Sequence, residues 1–193
     1  SSVAGTTLAG AKLGKPVTEQ ANVLSADIDA QVDHAKIVGI LHSVDRQIVD
    51  GFGELPGLGS AAIALAMGRT YCMAQEVIQR GGLVVMTGCG TSGRIAFMVA
   101  RALNFVCQQR GCREPFRYKI SGGDAALLLS DELPEDDPQQ GAADLQSVEA
   151  EANGAPVMLI GITCGLSAPY VAGQVKSISA ISISLSLYLY LYL

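Results

Sequence analysis

The chain has 193 residues, with 13 Lys and Arg against 18 Asp and Glu and a net charge of -5, and its pI is near 4.9. No basic stripe is available to meet a nucleic-acid backbone, which excludes nucleic acid as a partner. Mean hydropathy is positive at +0.34, yet no stretch reaches the roughly 18 apolar residues that a membrane span requires, so no membrane partner is expected.

Five cysteines (Cys72, Cys89, Cys107, Cys112, Cys164) form no C-x-x-C, and the two histidines, His34 and His42, have no partner at metal-ligand spacing. A disulfide framework and a metal site are therefore not expected, nor is a cofactor. A reducing compartment follows, cytoplasmic and with the nucleus also open. No secretory leader is legible, and the first residue is Ser1, not Met, which reads as an incomplete N-terminus.

Residues 1–16 are rich in Gly, Ala, Ser and Thr without a sustained period and predict a loose arm. Asp33 is placed to cap a helix whose Ile37, Ile40, Leu41, Val44 and Ile48 share a face, ending near Gly51-Phe52-Gly53. Pro56-Gly57-Leu58-Gly59 is a turn. Ser60 then caps a second helix to Arg80, with Ile63, Met67, Tyr71, Ala74 and Ile78 on its buried side, and Gly81-Gly82 stops it. Residues 17–80 thus form an N-terminal helical extension.

Leu83–Met86 is an apolar run between turn signals, the pattern of a parallel strand covered on both faces. Ile95, Met98, Val99, Ala102, Leu103 and Val106 recur afterwards at helical spacing. Between them lies Gly88-Cys89-Gly90-Thr91-Ser92-Gly93-Arg94. Its glycines let the backbone turn tightly and approach a ligand, and Thr91 and Ser92 add hydroxyls where free helix-start amides favour an anion. Gly88-x-Gly90-x-x-Gly93 also satisfies the dinucleotide fingerprint. The acid that should close the second strand is missing, however: Gly111-Cys112-Arg113 stands there, and Glu114 precedes that strand. A phosphate monoester suits two hydroxyls better than a pyrophosphate does. A βα turn without any ligand is the plain alternative.

Phe116–Ser121 predicts a second strand, Ala125–Ser130 a short helical turn, and the acidic, proline-broken Asp131–Pro138 a solvated loop. A helix follows over Gln139–Asn153, with Ala142, Leu145, Val148 and Ala152 inward. Val157–Ile162 predicts a third strand, ending in Thr163-Cys164-Gly165-Leu166-Ser167-Ala168-Pro169 at another helix start. Two hydroxyl-bearing loops at the carboxyl ends of parallel strands is the arrangement by which an open α/β sheet binds ligands. Cys89 and Cys164 lie in these two loops, which raises oxidation sensitivity beside the commoner packing role. From Ser177 onward Ile/Ser and then Leu/Tyr alternate without charge, Pro or Gly, an aggregation-prone pattern. Residues 177–193 are expected to be a low-complexity tail from translated simple-repeat DNA.

At Gly88–Phe97 the sequence resembles the SIS (sugar isomerase) domain family, in particular its glucokinase-regulator branch and its N-acetylmuramic acid 6-phosphate etherase branch. The similarity runs from about Pro16 to Val175. It takes in Thr18-Glu19-Gln20, Asn22, Asp27-Ile28-Asp29, Ile120-Ser121-Gly122-Gly123-Asp124, Glu135-Asp136 and the regulator-like block Ile160–Gln174. The resemblance implies a flavodoxin-like parallel α/β sheet flanked by helices, with residues 81–176 as a partial first SIS domain. It also implies a regulatory protein that binds fructose 6-phosphate or fructose 1-phosphate and acts on a glucokinase or hexokinase. The ligand residues it implies are Gly90, Thr91, Ser92, Gly93, Glu135, Thr163, Cys164, Gly165 and Ser167, with Glu135 on the sugar.

The etherase branch carries a further glutamate where this chain has Ala102, so no catalytic residue is expected and binding is favoured over lyase turnover. The family's second SIS domain and helical cap, which brings a lysine to the phosphosugar and much of the glucokinase-facing surface, lie beyond the similarity. The chain is accordingly expected to be the N-terminal portion of a longer protein, or a fragment without activity. With only three strands before the tail, Val157–Ile162 is expected to have an unpaired edge.

Overall fold

The computed structural model describes residues 21–129, 133–163, 168–178 and 183–185. Expectations for residues 1–16, for Cys164, Gly165 and Ser167, and for most of the tail lie outside them. Two 3-10 turns, Val23–Ser25 and Ile28–Ala30, lead into α1 (His34–Asp50), and a two-residue hairpin pairs β1 (Gly51–Phe52) with β2 (Leu55–Pro56). Then follow α2 (Ala61–Gln79), β3 (Leu83–Gly88), α3 (Gly90–Gln109), β4 (Phe116–Ile120), α4 (Pro138–Ala152), β5 (Val157–Ile162), α5 (Pro169–Ser177) and β6 (Ile183–Leu185).

The caps read from the sequence are present: Asp33 accepts from the Ala35 amide and Ser60 from the Ile63 amide. Asp137, unremarked in the sequence, caps α4 by accepting from the amides of Gln139 and Gln140, with Pro138 in the first turn, where no N–H is needed.

The parallel sheet runs in the order β4-β3-β5-β6. Every residue of the central strand β3 is buried, which explains its unbroken apolar run. Leu83, Val85, Val157 and Leu159 face Leu145 and Val148 of α4. On the other face Val84 and Met158 pack with Val77 of α2, and Met86 and Ile162 pack with Ala96 and Ala100 of α3. The edge of β5, expected to be open, is covered by β6, with Met158 opposite Ile183 and Ile160 opposite Leu185. The period-two pattern at that point supplies one short parallel strand.

Two helix faces differ from expectation. In α2, Met67 and Tyr71 are exposed and Val77 is the fully buried residue, because only the C-terminal half of the helix, through Met73, Ala74, Val77 and Ile78, reaches the sheet. In α3 the buried residues are Gly93, Ala96 and Ala100, while Met98, Val99, Leu103 and Val106 point outward. The close crossing of α3 over the sheet leaves room only for small side chains. In α1, Ile37, Ile40, Val44 and Ile48 are half-buried, Leu41 is exposed and no residue is fully buried. The helix is tied to the segment before it by the Asn22 side-chain amide, which donates to Gln47.

Candidate functional site

After β3 the chain moves outward to β4 through α3. It then crosses back to lay β5 on the other side of β3 and continues into α5. The loops leaving β3 and β5 therefore diverge, and this topological switch point opens a crevice at the carboxyl ends of the two strands. A cavity of about 220 Å³ lies there, lined by Cys89, Ser92, Glu135, Asp136, Ile162, Thr163, Ala168 and Pro169.

The glycine loop builds one wall. A Cβ on Gly88 would stand 2.8 Å from Ser92 C and 2.9 Å from Gly93 N, and one on Gly93 would overlap the Ile120 side chain. These two glycines let the first turn of α3 sit directly against the sheet. Gly90 has φ +48°, and a Cβ there would lie 3.1 Å from Glu135 Oε1, so the middle glycine allows both the left-handed turn and the approach of the carboxylate.

Gly93 N donates the first intrahelical bond of α3, to Cys89 O at 3.1 Å. The amides of Gly90, Thr91 and Ser92 come before it and have no acceptor within the helix. The helix thus starts at Gly90. Side chains cap α1, α2 and α4, whereas Cys89 before α3 and Ala168 before α5 make no side-chain capping bond. Both of these uncapped residues line the cavity.

The cavity also has an acidic part. Leu133–Asp136 forms a 3-10 turn that brings Glu135 and Asp136 to the cavity; Glu135 is half-buried there, unlike the solvated loop expected from the charge run, while Asp136 stays exposed at its edge. Among the described lining residues there is no Lys, Arg or His. Burial, then the Glu135 carboxylate, then that of Asp136 push the Cys89 thiol up to about 12, and the nearby Ser121 hydroxyl only partly offsets them. A protonated thiol is a poor nucleophile, which favours the packing role over oxidation for Cys89. Behind the cavity Tyr170, fully buried, donates to Asp144 on α4, and burial and that carboxylate both raise its pKa.

Of the residues expected in the site, Ser92, Glu135 and Thr163 line the cavity, Gly90 lies under Glu135, and Gly93 is buried against the sheet. Thr91 is exposed and is not among the lining residues. Asp136, Ile162, Ala168 and Pro169 join them; the proline at the start of α5 was the one sequence signal for the last two. Among the described residues no group of three His, Cys, Asp or Glu side chains could hold a metal ion, and no helix is long and apolar enough to cross a membrane.

The fold agrees with the comparisons with known proteins. The model of the glucokinase regulatory protein N-terminal SIS domain matches residues 67–179, more than half of the chain. The chain belongs to this SIS-domain family. It is 36% identical to the glucokinase regulatory protein of Xenopus laevis over 175 residues and 37% identical to that of Homo sapiens over 174. Each match covers 87% of this chain but only 28% and 27% of the relative. It is 35% identical over 161 residues to the N-acetylmuramic acid 6-phosphate etherase of Gloeobacter violaceus, covering 82% of this chain and 47% of that protein. The chain thus spans about a quarter of the regulators and about half of the etherase, and the SIS cavity lies within the shared region.

Proposed function

We propose that this SIS domain binds a phosphosugar of the fructose 6-phosphate or fructose 1-phosphate type as part of a regulatory protein, with a glucokinase or hexokinase as the protein it controls. The observation that carries the proposal is the meeting of unlike groups. Two helix starts whose N-cap residues make no side-chain bond reach the cavity, and Glu135 and Asp136 line it beside them. Uncapped helix starts favour an anion. Carboxylates only accept hydrogen bonds, so they suit a ligand that donates several hydroxyls. A polyhydroxylated phosphate monoester presents both kinds of group at once. The amides of Gly90 and Thr91, the Ser92 hydroxyl and the loop Thr163–Ser167 would hold the phosphate, and Glu135 a sugar hydroxyl.

Binding without turnover is favoured because Ala102 stands where the etherase pattern has a glutamate. Replacing Ser92 with Trp should abolish fructose 6-phosphate binding in calorimetry, and unchanged affinity would sink the assignment. Release of lactate from N-acetylmuramic acid 6-phosphate by the same protein would move it to the etherase branch.

A further inference from the structure

Arg94 lies two residues past Ser92, but its guanidinium does not line the cavity. It donates instead to three backbone carbonyls of one segment: Nε to Leu127 O at 3.2 Å, and Nη2 to Ala126 O at 3.1 Å and Leu129 O at 3.3 Å. These carbonyls end the 3-10 turn Gly123–Leu127, where unpaired oxygens favour a cation and charge-assisted bonds are strong. The start of the turn is fixed too, by Tyr118, whose hydroxyl donates to Asp124 at 2.8 Å. Gly122, at φ +83°, lies where an added Cβ would be 3.2 Å from Ala126 Cβ and 3.4 Å from Pro134 Cγ. Pro134 is the neighbour of Glu135. A run of close neighbours therefore leads from Arg94 through Ala126 and the bare backbone of Gly122 to Pro134, and so to the carboxylate beside Gly90.

From this path we infer that Arg94 is a positioning residue that sets selectivity: it clamps the 122–129 turn so that the turn holds Glu135 over the start of α3. The inference rests on the phosphosugar reading of the site. Arg94 contributes no direct contact to the anion, which keeps its own amides, and it decides how well the sugar part is distinguished from bare phosphate.

The test measures fructose 6-phosphate and inorganic phosphate affinities by calorimetry for the full chain and for Arg94→Gln, Arg94→Lys, Glu135→Ala and the Arg94→Gln/Glu135→Ala double variant. Thermal melting confirms that each is folded. The preference for fructose 6-phosphate over phosphate should fall about tenfold in both Arg94 variants, since a single lysine Nζ cannot stand at both the Nε and the Nη2 positions that reach these carbonyls. Phosphate affinity should stay within about twofold in both Arg94 variants, and the double variant should be no less selective than Glu135→Ala. Full selectivity in Arg94→Gln, rescue by lysine, or losses that multiply would overturn the inference. Amide hydrogen exchange without ligand gives a second readout. Arg94→Gln should speed exchange at both 122–129 and 135–137, and acceleration confined to 122–129 would contradict the coupling. If the unaltered chain binds phosphate but not fructose 6-phosphate, the functional reading fails while the exchange experiment still decides the contact path.

Discussion

Cys89 closes β3 and opens α3, and its thiol is held protonated by burial and by the carboxylates of Glu135 and Asp136. The thiolate is the nucleophile. At neutral pH iodoacetamide should therefore modify the exposed Cys72 and Cys112 while sparing Cys89, as read by peptide mass spectrometry, and Glu135→Gln should speed the reaction at Cys89. Equal rates at all three would contradict the electrostatics. The shift also has a stability consequence. In the unfolded chain the thiol ionises near its ordinary 9.0, whereas in the fold it holds its proton to about 12. Over that window the folded state binds more protons, so Cys89 makes stability fall as pH rises. Replacing Cys89 with Ala should flatten this part of the pH–stability curve.

Helix starts divide into two kinds. Asp137 belongs to those that serve stability: it satisfies two first-turn amides of α4, and Asp137→Ala should cost about 1 kcal/mol in urea denaturation. The start of α3 belongs to those kept open. Cys89 already has the extended backbone of a capping residue, φ -109° and ψ 152°, so Cys89→Ser should cap the helix and raise stability by about 1 kcal/mol. The new hydroxyl would occupy a first-turn amide, so the same substitution should weaken phosphosugar binding in calorimetry. A gain in both would refute the assignment of these amides to the anion.

The element scale also shows what was legible in the sequence. Strands β3 and β5 were plain because a strand buried on both faces must be apolar throughout. The inward face of α3 was hidden because Gly88 and Gly93 bring the helix so close to the sheet that only Ala96 and Ala100 fit beneath it. The larger apolar residues that signalled the helix point the other way, Met98 being 66% exposed. In α2 the apolar period was legible, but not that the helix meets the sheet only near Val77.

At the scale of the whole molecule, the strand order β4-β3-β5-β6 places the loops after β3 and β5 side by side. Of the site, the glycine loop and Ser92 were legible as local chemistry, whereas Glu135 came only through the family resemblance. Asp136 could not be read as a lining residue, because it stays exposed, as an acidic run is expected to be, and only the 3-10 turn puts it at the cavity. The proposed function puts a phosphosugar in this crevice, between the starts of α3 and α5 and the Glu135 turn. The most direct measurement is a backbone amide NMR titration with fructose 6-phosphate, using fructose as the control. The amides of Gly90, Thr91 and Ser92, those of Ala168 and Tyr170, and that of Glu135 should shift together and saturably with the phosphosugar but not with fructose. No shift at these amides, or a saturable response confined to another face of the molecule, would contradict the account.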